Sequence, residues 1–145
     1  MPSAIARRAD DTLIYDNETD LAVDAFIDVL RRSTLAERRP VADRARIARM
    51  LAHADIVLCA RNGAGLLVGV SRALTDYAYC CYLSDLAVDR DWQGRGVGRE
   101  LIRRTHEIAG PQTTLLLISA PGATSYYPHI GMSKSESAFV IPRQR

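Results

Sequence analysis

Leu83-Ser84-Asp85-Leu86-Ala87-Val88-Asp89-Arg90-Asp91-Trp92-Gln93-Gly94-Arg95-Gly96-Val97-Gly98 is the stretch around which this 145-residue chain is arranged. Leu83 to Val88 is an apolar run of strand composition, and Asp89-Arg90-Asp91 is a polar turn. Gln93 to Gly98 is spaced by glycines and opens a periodic stretch that reads as a helix. A strand, a glycine turn and a helix start in that order build an anion site. The first helical amides lack intrahelical acceptors, the helix dipole places partial positive charge there, and glycine lets the backbone close on a phosphate. The turn is therefore expected to hold the pyrophosphate of a cofactor.

Spacing narrows the choice of cofactor. A dinucleotide fingerprint needs G-x-G-x-x-G, but the glycines fall at 94, 96 and 98 and Arg99 stands where the third would be. No Gly-Lys followed by Ser or Thr is present for a P-loop. The pattern Gln93-x-x-Gly96-x-Gly98, after Leu86-Ala87-Val88 and before Leu101-Ile102, resembles motif A of the GNAT superfamily of N-acetyltransferases, Q/R-x-x-G-x-G/A. The agreement runs from Asp85 through Ile102. The resemblance implies acetyl-coenzyme A as the cofactor, with its pyrophosphate against the amides of Gln93, Gly94, Arg95, Gly96, Val97, Gly98 and Arg99. Arg95 and Arg99 would add charge near the phosphates. The resemblance also lays the pantetheine arm beside Leu86, Ala87 and Val88, where family members splay this strand from its neighbour. A main-chain amide there would stabilise charge developing on the thioester oxygen.

A second motif, Tyr126-Tyr127-Pro128-His129-Ile130-Gly131-Met132, is similar to the family segment F-Y-x-x-L-G-F. Many members carry an asparagine about seven residues before the tyrosine, and here that position is Ala120. The resemblance makes Tyr127 both a cofactor contact and the general acid that protonates the departing thiolate. Phenol and thiol have comparable ordinary pKa values, about 10 and about 8.5, so the proton transfer is reasonable. The rival reading of Tyr126 and Tyr127 is two packed aromatics on a short helix. A base must also relieve the acceptor ammonium of a proton, and the central strand offers Asp85, Ser84 and Tyr82. Asp85 matches an acidic residue common at this point in the family and is the catalytic candidate, although strand alternation would equally make it a structural hydrogen-bond acceptor. His129 reads as a surface helix residue, and His53 and His106 carry no signal.

The rest of the chain is ordinary for one soluble domain spanning 1–145, with 48% hydrophobic residues, 25% charged residues and a formal charge of +2. That charge does not argue for nucleic acid, and no apolar run approaches the ~18 residues of a membrane span. The N-terminal MPSAIARRADD has no apolar run after its arginines, which does not read as a secretory signal. Cys59, Cys80 and Cys81 fit neither a metal spacing nor a disulfide framework, so reduced thiols in a cytoplasm are expected and no metal site.

In order, the pattern predicts a strand at Thr12–Tyr15, a helix from Leu21 to about Arg32, a charged loop from Ser33 to Val41 and a helix capped by Asp43. An antiparallel hairpin of Ile56–Ala60 and Leu66–Leu74 follows, turned at Asn62 to Gly65. Then come a long strand Tyr77–Val88, the Val97–Ala109 helix, a strand Thr113–Ser119 buried on both faces, a short helix Ala123–Ile130 and a last strand Ser137–Ile141. This β-α-α-β-β-β-α-β-α-β order is an α/β fold with a mixed sheet and helices on its faces, and it too resembles the GNAT fold.

The reading is an N-acetyltransferase in which a primary amine attacks the thioester directly, in a ternary complex. The acceptor, a small-molecule or peptide amine, would lie among the two N-terminal helices, the Ser33–Val41 loop and the outer end of the central strand. Glu37, Arg38 and Arg39 on that loop would suit a partly anionic acceptor. The rivals are a GNAT-like module that holds the cofactor without turnover, and a small basic nucleic-acid-binding domain. A homodimer is also allowed, with Ser137–Ile141 pairing across the two-fold axis.

Overall fold

The structure, a computed structural model, describes residues 12–144. The N-terminal segment read above for a signal lies outside them. A five-stranded sheet in the order β1-β2-β3-β4-β5 is built from β1 (Ile14–Asn17), β2 (Ile56–Arg61), β3 (Leu67–Thr75), β4 (Cys80–Val88) and β5 (Thr114–Leu116). All pairings are antiparallel except β4 with β5, which is parallel. The helices are α1 (Val23–Ser33), α2 (Arg44–Ala52), α3 (Val97–Ala109) and the single turn α4 (Tyr126–His129). The mixed sheet, the β2–β3 hairpin and the helix starting at Val97 are as expected.

Local chemistry explains the boundaries. The Asp43 carboxylate accepts from the Arg46 amide at 3.1 Å, so α2 begins where an N-cap was read. Asn62 Oδ1 accepts from the amides of Ala64 and Leu66 at 3.0 and 2.9 Å and closes the hairpin. β4 starts at Cys80 rather than Tyr77, because Asp76 gathers the amides of Ala78, Tyr79 and Cys80 into a loop. Those three bonds hold the Asp76 carboxyl down at about 2.

One face of the sheet is covered by α1 and α2 through Phe26, Leu30, Ile47 and Leu51, and the first three are fully buried. Each such side chain contributes about 1.5–3 kcal/mol by its removal from water. The other face takes α3 through Val97 and Leu101. Gly69 on β3 permits this approach, since a Cβ there would meet Leu101 Cδ1 at 3.1 Å and Val97 Cγ1 at 3.2 Å. Ser71 and Thr105, both buried, share a 2.8 Å hydrogen bond that ties α3 to β3.

Three expectations are corrected. The Ser33–Val41 loop contains a turn of 3-10 helix at Leu35–Arg38. Thr113–Ser119 is not a central strand: only Thr114–Leu116 pairs, at the sheet's edge, with Leu116 47% exposed. Ser137–Ile141 is not a strand at all, so β5 gains no outer neighbour, and the element read as pairing across a two-fold axis is not formed. Val140 and Ile141 lie along the cleft described next instead.

Candidate active site

The turn after β4 is pinned from several sides. Asp89 donates its amide to the Val68 carbonyl at 2.8 Å, and its carboxylate accepts from the Asp91 amide at 2.9 Å and from Arg32 Nη1 of α1 at 2.5 Å. Gln93 Nε2 donates to the Val88 carbonyl at 2.9 Å. The Gln93 side chain therefore closes the turn. Gly94 and Gly96 have φ of +77° and +82°, with nothing within 4 Å of where a Cβ would stand. Only glycine adopts that backbone without strain.

Gly96 is the N-cap of α3 and supplies no capping side chain, and the first helical bond runs from the Glu100 amide to the Gly96 carbonyl at 3.1 Å. The amides of Val97, Gly98 and Arg99 are thus the first-turn donors that α3 itself leaves without acceptors. Tyr126 approaches this turn closely: a Cβ on Gly98 would lie 2.8 Å from its hydroxyl oxygen. Burial raises the Tyr126 phenol pKa, and a hydrogen bond from the Arg99 backbone and the Arg99 charge oppose that rise. The Tyr126 hydroxyl thus packs against the first turn of α3 at Gly98. Sequence reading missed this contact and treated Tyr126 only as the motif's aromatic residue. Arg95 lies over the Trp92 ring, 4.7 Å from its centroid, which fixes its side chain beside the turn.

The splay is present. β4 and β5 pair only at Cys80–Thr114, Cys81–Leu115 and Tyr82–Leu116, and beyond Tyr82 the strands separate. The Asp89 amide bonds toward β3, so strand alternation turns the Val88 and Leu86 amides toward the open side. A cleft of about 990 Å³ opens there, lined by Leu86, Ala87, Val88, Leu117, Ala120 and Tyr127 among others. Tyr127 meets Tyr126 edge-on at a centroid distance of 5.1 Å. Burial, and secondarily Tyr126, push its phenol pKa above the ordinary value, so it keeps its proton at neutral pH. His129 is exposed, and His106 bonds the Thr113 carbonyl at 2.7 Å.

Asp85 is placed differently from a base. It is fully buried, with one carboxylate oxygen accepting from Arg39 Nε at 2.5 Å and the other from Arg72 Nε. A β-bulge makes room for this: Asp85 pairs with Arg72 and Leu83 with Ala73, leaving Ser84 as the extra residue. The Ser84 carbonyl accepts from Arg39 Nη2 at 2.9 Å and its hydroxyl from Arg72 Nη2 at 3.0 Å. With both oxygens engaged by guanidiniums, Asp85 organises two arginines, and the general-base reading gives way to the structural one. Arg39 is correspondingly held to the sheet, while Glu37 and Arg38 are exposed at the cleft rim.

No thiol is set up as a nucleophile in the core: burial pushes Cys59 up to about 12, and it also raises Cys81. Among the described residues no three His, Cys, Asp or Glu side chains come together as a metal site, and no helix is long and apolar enough to cross a membrane.

Comparison with known proteins gives one family and many related folds. The family described as acetyltransferase (GNAT) matches residues 23–131. A GNAT-family acetyltransferase from Streptococcus pneumoniae superposes with a TM-score of 0.69 at 15% identity, over 92% of this chain and 100% of that one. An aminoglycoside acetyltransferase from an uncultured soil metagenomic sample, in complex with sisomicin, gives 0.66 at 18%, over 92% and 95%. The aminoglycoside N-acetyltransferase AAC(6')-Iy, in complex with CoA, gives 0.66 at 16%, again over 92% and 95%. At these identities the structures establish the fold. No curated protein matches the sequence.

Proposed function

Since the chain belongs to the acetyltransferase (GNAT) family, we propose that it moves the acetyl group of acetyl-coenzyme A to a primary amine by direct attack in a ternary complex. One observation carries this reading: the unpaired edge of β4 runs straight into the N-terminus of α3, which has no capping side chain, with the Tyr127 phenol at the same cleft. A coenzyme A moiety fits that arrangement. The glycines at 94 and 96 leave open space above the turn, the first-turn amides of Val97 and Gly98 are diphosphate donors, and Leu86, Ala87 and Val88 offer an apolar edge on which the Leu86 and Val88 amides are free for a pantetheine arm. Arg95 and Arg99 add positive charge at the same turn.

When bound, acetyl-coenzyme A would supply an activated acyl group with a thiolate as leaving group. The chain's own contribution is orientation, exclusion of water and protons. The Val88 and Leu86 amides serve as hydrogen-bond donors on the open side of β4. Tyr127 holds a proton at its phenol oxygen, available to a developing thiolate. With Asp85 ion-paired, the acceptor's proton passes to solvent from the cleft. The free thiols suit a reducing cytoplasm, where we place the protein.

An amine panel assayed for release of coenzyme A thiol is the test. Acetyl-coenzyme A with at least one amine should release thiol and acetylated amine in equal amounts. Tight coenzyme A binding with no thiol released by any amine would instead make the chain a cofactor-holding module.

A further inference from the structure

The acceptor end of the cleft has a strong charge imbalance. It is walled by the Ser33–Pro40 segment, the inner face of α2 and the bulged part of β4, and the C-terminal residues Val140–Arg143 line the same cleft. Among the described lining residues the cleft carries the guanidiniums of Arg38, Arg39, Arg72 and Arg143, and Glu37 is the only acid. Asp85 adds one negative charge behind the wall, but it is already shared by Arg39 and Arg72. That pair therefore keeps one positive charge more than its carboxylate neutralises, in a partly buried position where screening by water is weak. The cofactor's phosphates do not account for Arg38, Arg39 and Arg72, since Arg39 and Arg72 bond Ser84 and Asp85 and the phosphate cradle lies past Val88.

A cleft lined by one sign of charge concentrates ligands of the other and repels its own. Guanidiniums in addition match a carboxylate's two oxygens in geometry. Resting on the acetyl-transfer reading above, we propose that the acceptor is an amine that also carries a carboxylate, bound by the guanidiniums of this wall while its amino group reaches toward the Leu86–Val88 edge. Polyamines and other polycations are disfavoured at this site.

The test compares lysine with lysinamide, alanyl-glycine with alanyl-glycinamide, and spermidine as the polycation. The carboxylate member of each pair should have a kcat/KM at least ~10-fold higher, carried by KM and eroded as salt shortens the range of the charge interaction. Arg38→Glu and Arg143→Glu, both at exposed positions, should compress that ratio while coenzyme A affinity stays the same. The same pairs, as their N-acetylated products, are titrated calorimetrically into the coenzyme A-loaded protein, so the preference is read even without turnover. Matched affinities within each pair, or preference for spermidine, would overturn the proposal. Absence of thiol release together with tighter binding of the carboxylate products would overturn acetyl transfer and leave the anion site standing.

Discussion

Asp85→Ala is expected to lower the stability of the fold by about 3–5 kcal/mol. The carboxylate is fully buried and each oxygen is engaged by a different guanidinium, with Arg72 itself only 6% exposed. Removing it leaves two cations facing each other at a bulge in the strand that forms the cleft floor. Desolvation of an uncompensated guanidinium then opposes folding, and Arg39 keeps only its bond to the Ser84 carbonyl as an anchor to β4. Asp85→Asn should fall between, because an amide oxygen still accepts one hydrogen bond but cancels no charge. Thermal melts should therefore rank wild type above Asn above Ala, with the alanine variant lower by roughly 10 °C or more. A melting temperature for Asp85→Ala within a degree or two of wild type would show that this ion-pair cluster is not the anchor described.

The second large effect is on rate. Tyr127→Phe should reduce kcat by ~10²-fold and change coenzyme A affinity by less than about twofold. The substitution keeps the ring, its edge contact with Tyr126 and its place in the cleft, and removes only the phenolic proton. Because burial raises the phenol pKa, the acid is protonated at and well above neutral pH. Activity that depends on it is lost only as pH rises through that elevated pKa, so the wild-type profile should bend down on the far alkaline side and the Phe variant should lack that bend. A kcat within threefold of wild type would remove Tyr127 from the proton inventory.

What the sequence disclosed was mostly local. A strand feeding glycines feeding a periodic helix is written in consecutive residues, and the Val97–Ala109 helix has the bounds its pattern predicts. What it hid depends on partners far along the chain. Asp85 on an apolar strand reads equally as a base or as a structural acceptor, and Arg39 and Arg72, 46 and 13 residues away, decide between them. A usable hint was present, because Arg72 is likewise a lone charge in the apolar Leu67–Leu74 run, and opposite charges in two buried strands tend to pair. The Thr113–Ser119 run misled for a related reason. Continuous apolarity shows that a strand tolerates burial on both faces, but the neighbour that would bury it must come from elsewhere, and here the last segment follows the cleft. The Tyr126 contact with the first turn of α3 was beyond reach too, since it needs a left-handed Gly96 and a side-chain-free Gly98 to come about.

On the function proposed above, main-chain amides between Gln93 and Arg99 grip the phosphate end of a coenzyme A-type carrier. Calorimetric titration of 4′-phosphopantetheine against pantetheine, which differ only by the phosphate, tests it most directly. One or two charge-assisted hydrogen bonds at about 1.5 kcal/mol each predict tighter binding of the phosphorylated compound by roughly 10- to 100-fold. Equal affinities for the two would show that these amides do not hold a phosphate.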